Sequence, residues 1–116
     1  AARDAGAQAE RAFRWQGKVA ELPEGAYPMP FAVYRMGDAV WVTTAGEPYN
    51  WIQRELRRRF PEFTIVFSPL VGAMNIGYLL LEDRYGKGLY QEEPSVLAKG
   101  CLEKLVEAVA EKIRLI

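Results

Sequence analysis

The sequence predicts an α/β fold: a mixed three- to four-stranded sheet with a β-hairpin, a β-α-β unit and a long C-terminal helix. Three patterns support this prediction: two apolar runs joined by a glycine turn, an amphipathic stretch between two apolar runs, and a helical apolar stripe near the end of the chain. The chain has 116 residues, half of them apolar, which is enough for one core. We expect a single domain or a C-terminal fragment of a larger α/β domain, with residues 1–25 as a helical lead-in and residues 26–116 as the α/β portion.

The first part of the chain predicts a helix followed by a β-hairpin. Residues 1–21 are rich in alanine and charged residues, and the prolines that follow prevent the helix from continuing. Two apolar runs, residues 31–36 and 39–44, are joined by Gly37 and Asp38. Glycine at the first central position of a two-residue turn favours type II′, and therefore a hairpin. The second run is apolar on both faces over most of its length, which is typical of a central strand covered on both sides.

A β-α-β unit is predicted next. Pro48 suits the first turn of a helix, apolar residues then recur at helical spacing, and Pro61 ends the helix. Residues 64–68 return as a strand. This strand and residues 39–44 should therefore be parallel and joined by a right-handed crossover.

The remainder of the chain predicts loops and a last helix. Residues 69–77 and 83–94 are interrupted by glycine and proline and predict loops, with residues 79–81 as a short extended piece between them. Residues 96–115 carry apolar side chains at helical spacing. Gly100 should either weaken the first turns of this helix or delay its start.

Charge and hydropathy narrow the possible partners. Fifteen basic and fifteen acidic residues cancel, so the concentrated basic face that duplex binding requires is not indicated, and we expect no nucleic-acid partner. No apolar stretch approaches the roughly 20 residues that span a bilayer, so no transmembrane segment is expected. There is no recognisable signal peptide, and the sequence starts at Ala1 without a methionine. This start predicts a processed product or a fragment.

Two side chains at successive strand ends are the candidate site residues. Glu47 follows the second apolar run, and Tyr78 lies beyond the next strand. Ligands collect at the carboxyl edge of α/β sheets, and adjacent parallel strands bring their loops together, so we expect a carboxylate and a phenol to meet there. A helix beginning at this point would favour an ionised Glu47 that is able to bind a cation. In the alternative interpretation, Glu47 is only a helix-start charge and Tyr78 only packs at a loop edge.

Three short motifs contain or follow these two residues. They are Ala45-Gly46-Glu47-Pro48-Tyr49, Asn75-Ile76-Gly77-Tyr78 and Tyr85-Gly86-Lys87-Gly88-Leu89-Tyr90. Together they resemble the C-terminal part of the catalytic domain in the neutral ceramidase family, and the resemblance runs from about Phe31 to the end of the chain. That family consists of zinc-dependent amidases that cleave N-acyl-sphingosine into a fatty acid and sphingosine.

The resemblance implies roles for three residues. Glu47 and Tyr78 would be zinc ligands, and Tyr90 would lie beside the metal and donate a hydrogen bond to the developing oxyanion. The two zinc-binding histidines of the family lie upstream of the matching portion, and this chain contains no histidine. Zinc sites use at least three protein ligands. We therefore expect zinc in the full-length protein, only weak zinc binding and no resident zinc in this chain alone, and no activity of the isolated chain.

The implied partners are an amide or lipid-like substrate and either the upstream part of the protein or a second chain that completes the site. The alternative function is a non-catalytic interaction or structural module with a lapsed or incomplete metal site, which the absence of histidine would suit. The basic run of Arg54 and residues 57–59 predicts a solvated helix face, with an anionic partner as the minority interpretation. The sequence does not indicate the acyl group, the amine or the compartment.

Overall fold

The structure of the chain, a computed structural model, describes residues 2–20, 29–71, 78–88 and 97–116. Its elements are α1 (Ala2–Ala20), β1 (Phe31–Met36), β2 (Ala39–Thr44), β3 (Glu47–Pro48), α2 (Trp51–Arg59), β4 (Thr64–Ser68), β5 (Tyr78–Leu79), a short 3-10 helix (Glu82–Arg84) and α3 (Cys101–Arg114). The predicted α/β fold, with its hairpin, its mixed sheet and its C-terminal helix, is confirmed.

β2 is the middle strand of a mixed three-stranded sheet with the order β1-β2-β4. β1 and β2 are antiparallel and form the predicted hairpin, with Met36 opposite Ala39 across the turn. Of the two turn residues, Gly37 alone has a positive φ, 61°, as a type II′ turn requires of its first central residue. β2 and β4 are parallel, with Ala39 beside Thr64, which confirms the β-α-β unit around α2.

The core lies between one face of this sheet and the helices α2 and α3. Along β2, Val40, Val42 and Thr44 are buried whereas Trp41 is exposed, so alternate residues face the helices. The other buried apolar side chains of the core are Ala45, Ile52, Leu56, Phe60, Ile65, Leu79, Leu102, Leu105, Val106, Val109, Ala110 and Ile113. Their spacing of three and four residues along the two helices gives each helix an apolar stripe toward the sheet.

An ion-pair cluster joins α2 to α3. Glu55 accepts hydrogen bonds from Arg58 at 2.5 Å and from Arg59 at 3.0 Å, and Arg59 also pairs with Glu107 of α3 at 2.7 Å. The hydrogen bonds from Arg58 and Arg59 hold the pKa of Glu55 at about 2, below its ordinary value of 4.5. The expectation of a solvated basic face is therefore wrong for Arg59, which lies between the two helices.

Two helix boundaries differ from the sequence-based expectation. Pro48 belongs to β3 rather than to the first turn of a helix, and α2 begins at Trp51. α3 begins at Cys101, directly after Gly100, whose φ is 92°. Because a left-handed residue cannot continue an α-helix, the delayed start is the alternative that the structure adopts.

The sequence predicts that both faces of β2 are covered. Among the described residues, none covers the face that carries Trp41. Trp41 of β2 and Val66 of β4 are 39% and 42% exposed on that face. α1 does not cover them, because each of its described side chains is itself exposed, including Phe13 at 77%. α1 is the longest helix, and no helix in the described ranges is long and apolar enough to cross a membrane.

Shortening Leu56 should test whether α2 is held by the core. Leu56 is fully buried, so Leu56→Ala should lower the free energy of unfolding by about 2–5 kcal/mol through lost burial and a residual cavity. Leu115→Ala is the matched control, because that leucine is exposed beyond the end of α3 and should change stability by less than about 0.5 kcal/mol. Urea unfolding followed by circular dichroism measures both. Equal effects of the two substitutions would contradict the described packing of α2.

The low pKa of Glu55 predicts an acid-dependent loss of stability. Because the folded-state pKa lies below the ordinary value, the stabilisation is complete above about pH 4.5 and is lost as the pH falls toward about 2. Glu55→Gln should therefore be less stable than the native chain above this window and should approach it within the window. Urea unfolding across these pH values provides the measurement, with Glu111→Gln, an exposed carboxylate of α3, as control. A constant difference at every pH would show that Glu55 is not the titrating group.

Candidate functional site

The candidate site lies beyond the edge where the parallel strands β2 and β4 end. After β2 the chain passes through Ala45 and Gly46, which are both buried, and Gly46 has a φ of 67°. The chain leaving β4 runs beside this turn, because the amide of Leu70 donates to the carbonyl of Gly46 at 3.0 Å and the amide of Val71 donates to that of Thr44 at 3.0 Å. The turn that precedes Glu47 is therefore fixed by backbone hydrogen bonds from the neighbouring loop.

Glu47 and Tyr78 are direct neighbours on two short parallel strands. β3 pairs with β5, and in this register Glu47 lies beside Tyr78 and Pro48 beside Leu79. The amide of Tyr49 extends the pairing by donating to the carbonyl of Leu79 at 3.0 Å. Neighbouring strands are about 4.8 Å apart, and paired residues present their side chains on the same face. The structure thus brings the two predicted site residues together on one face, both partly buried.

Glu47 belongs to a short strand and does not lie directly before the start of a helix, where the sequence had predicted it. Glu47 lies in β3, and α2 begins only at Trp51. The field of a helix N-terminus falls off within the first turn, and Glu47 precedes that turn. The interpretation of Glu47 as a helix-start charge fails for the same reason. Strand pairing with β5 positions this side chain.

This pair offers only oxygen donors, those of a carboxylate and of a phenol. The sequence contains no histidine, and among the residues that the structure describes no group of three or more His, Cys, Asp or Glu side chains is placed to hold a metal ion. Zinc accepts carboxylate oxygens at about 2.0–2.2 Å but requires at least three protein ligands. The chemistry of the donor set fits part of a zinc site, and the remaining ligands would have to come from outside this pair.

The third predicted site residue cannot be compared with the structure. Tyr90 lies outside the described residues, as do the first three residues of the Asn75-Ile76-Gly77-Tyr78 motif. The preceding tyrosine, Tyr85, is described, and its hydroxyl donates to the carbonyl of Leu97 at 3.3 Å. That contact fastens the segment after the 3-10 helix to the segment that leads into α3.

Sequence reasoning overlooked one polar group near the site. Thr44 ends β2, is 1% exposed, and its hydroxyl oxygen has no hydrogen-bond partner in the structure. A buried hydroxyl without a partner carries a cost of about 1–3 kcal/mol. The available signal was the polar pair Thr43-Thr44 at the end of an otherwise apolar strand, just ahead of Gly46 and Glu47.

Comparisons with known proteins do not assign a function to this chain. No protein-family model matches the chain, and no curated protein or solved structure matches it. The fold and the site define an α/β chain with a glutamate and a tyrosine paired beyond the carboxyl edge of its sheet. The resemblance to neutral ceramidases stays a prediction from the sequence motifs.

Substituting Gly46 should test how tightly the turn before Glu47 is determined. Alanine at a φ of 67° costs about 1–2 kcal/mol, and the buried position adds the cost of an extra methyl group. Gly37→Ala is the matched control, because Gly37 has a similar φ of 61° but nothing within 4 Å of an added Cβ. We expect Gly46→Ala to lower the free energy of unfolding more than Gly37→Ala does, as measured by urea unfolding. An equal or smaller loss would show that the turn has room to adjust.

Proposed function

We propose that this chain supplies two ligands, Glu47 and Tyr78, to the metal site of a zinc-dependent amidohydrolase similar to the neutral ceramidases. The observation that supports the proposal is the parallel register that sets Glu47 beside Tyr78. A strand spacing of about 4.8 Å allows two side chains on the same face to reach one ion. Ligand sites of this fold class also occur at the carboxyl edge of the sheet, which is where this pair of side chains lies.

Each site residue of this chain would have a separate role in the reaction. Glu47 would contribute a negative charge and one oxygen ligand, and Tyr78 a phenolic oxygen. A zinc ion, when bound, would lower the pKa of a coordinated water and polarise an amide carbonyl. Tyr90 would donate a hydrogen bond to the oxyanion that develops from that carbonyl, an effect typically worth about 2.7–4 kcal/mol for one donor. The substrate class is an N-acyl amide.

The proposal requires further ligands beyond this pair. Neutral imidazoles are the usual companions of a carboxylate in catalytic zinc sites, and this chain has none. They would come from an upstream part of a longer protein or from a second chain. By itself the chain should bind zinc weakly and hydrolyse nothing.

A second function deserves the same test. The incomplete donor set also suits a non-catalytic interaction or structural module in which an ancestral metal site has lapsed. In that case the pairing of β3 with β5 would be purely structural and would only hold these two strands together. Metal binding distinguishes the two functions more directly than activity does.

Zinc binding by the isolated chain should depend on both members of the pair. Titration with zinc should change the tyrosine ultraviolet spectrum, because a coordinated phenol is deprotonated or strongly polarised. Glu47→Gln and Tyr78→Phe should each raise the dissociation constant for zinc at least about tenfold, because losing even an outer-shell partner costs roughly 10–100-fold in metal affinity. For Tyr78→Phe, which lacks the responding phenol, competition with a zinc indicator measures the dissociation constant. Glu62→Gln, an exposed carboxylate in the turn after α2, is the matched control and should leave the response unchanged.

The same substitutions extend the test to catalysis. In a longer protein that includes the sequence encoded before Ala1, Glu47→Gln and Tyr78→Phe should lower both the zinc content and the hydrolysis of an N-acyl substrate. Unchanged zinc content in both variants would defeat the proposal and favour the module. Hydrolysis by the isolated 116-residue chain with zinc would contradict the requirement for further ligands.

A further inference from the structure

The face of the sheet opposite the core is apolar and exposed. Tyr34 of β1, Trp41 of β2 and Val66 of β4 lie side by side in one cross-strand row, because Trp41 pairs with both of the others. Tyr34 is 55% exposed, and Met36, two residues further along the same face of β1, is 57% exposed. We call these four residues the open face. Parallel strand pairs are normally covered on both faces, so an open face over the β2–β4 pair indicates a missing layer.

A second apolar surface is exposed along the described side chains of α1. α1 has 19 residues, and Ala5, Ala9, Ala12 and Phe13 lie along one side of it at helical spacing, all exposed. Its described charged side chains, the ion-paired Glu10 and Arg14, are exposed as well. A helix with so modest an apolar stripe owes most of its stability to packing against another surface. The structure therefore leaves an apolar helix side and an apolar sheet face uncovered in the same molecule.

The two uncovered surfaces fit each other in size and shape. α1 is about 28 Å long and about 10 Å wide, enough to lie over a sheet of three strands spaced about 4.8 Å apart. The small side chains of Ala5, Ala9 and Ala12 would leave room for the large rings of Tyr34 and Trp41. Phe13 would add one large apolar group of its own.

We propose that α1 of a second copy of this chain covers the open face, and that the exchange is reciprocal in a two-fold symmetric dimer. In the structure the described side chains of α1 are all exposed, and the radius of gyration of the chain is 16.1 Å, against about 13 Å for a compact domain of this length. The open face of each copy is thus free to receive the helix of the other. Two-fold symmetry makes the same contact twice, which is the commonest arrangement in homodimers. This dimer does not depend on the proposed metal site.

The first test is the oligomeric state at a series of concentrations, measured by analytical ultracentrifugation. The native chain should form a dimer, and Phe13→Asp and Tyr34→Asp should each raise the dissociation constant at least tenfold. Both positions are exposed, so neither substitution disturbs the core. Leu115→Asp is the matched control, because it places the same charge on an equally exposed apolar residue outside both surfaces, and it should leave the dimer intact. A native chain that stays monomeric at every concentration would overturn the proposal.

The second test identifies which surfaces meet. In a Cys101→Ser background, one protein carries Phe13→Cys and another carries Tyr34→Cys. Oxidation of the mixture should give a disulfide between the two different proteins. A Tyr34→Cys protein that cross-links only with itself would mean that two open faces pack together, which overturns the helix exchange. A chain with both cysteines that closes an internal disulfide and remains monomeric would show that α1 folds back on its own sheet, which overturns it as well.

Discussion

The structure depends on the hydrogen bonding of β2 to strands on both sides. β1 binds it antiparallel through the tight turn at Gly37, and β4 binds it parallel after the return through α2. Because β2 is fixed from both sides, the residues that follow it leave the sheet at a determined place. Gly46 then turns the chain, and the amide of Leu70 anchors that turn from the β4 side. The pairing of Glu47 with Tyr78 in the register of β3 and β5 follows from this arrangement.

Most of the fold could be predicted because its signals are local. The glycine turn, the apolar run of β2 and the apolar stripes of α2 and α3 each lie within one short stretch of sequence. The helix starts were less predictable. Pro48 satisfies the requirements of a first helical turn and also those of a short strand, and only the pairing of β3 with β5, more than 25 residues apart in sequence, decides between them. The sequence allowed Gly100 either to weaken the first turns of α3 or to delay its start, and its left-handed conformation shows that it delays the start.

The candidate site could be predicted in part. That a carboxylate and a phenol meet beyond the sheet edge follows from the parallel β-α-β unit and from the position of each residue after its strand. The helix start expected directly after Glu47 was wrong, because no local signal indicates the separate pairing of β3 with β5. The unpartnered hydroxyl of Thr44 and the link from Arg59 to Glu107 were also missed. Both depend on what packs around a side chain, which residue spacing along the chain does not report.

The order of the sheet has a consequence for how this chain behaves in concentrated solution. β1 and β4 are its outer strands, and within the described ranges no further strand is hydrogen-bonded to either of their outer sides. β4 reads Thr-Ile-Val-Phe-Ser, without charge or proline, and therefore lacks the residues that usually protect an edge against templated association. A neighbouring polypeptide that added one strand beside β4 would widen the sheet by β-augmentation and remove that hazard in the same step.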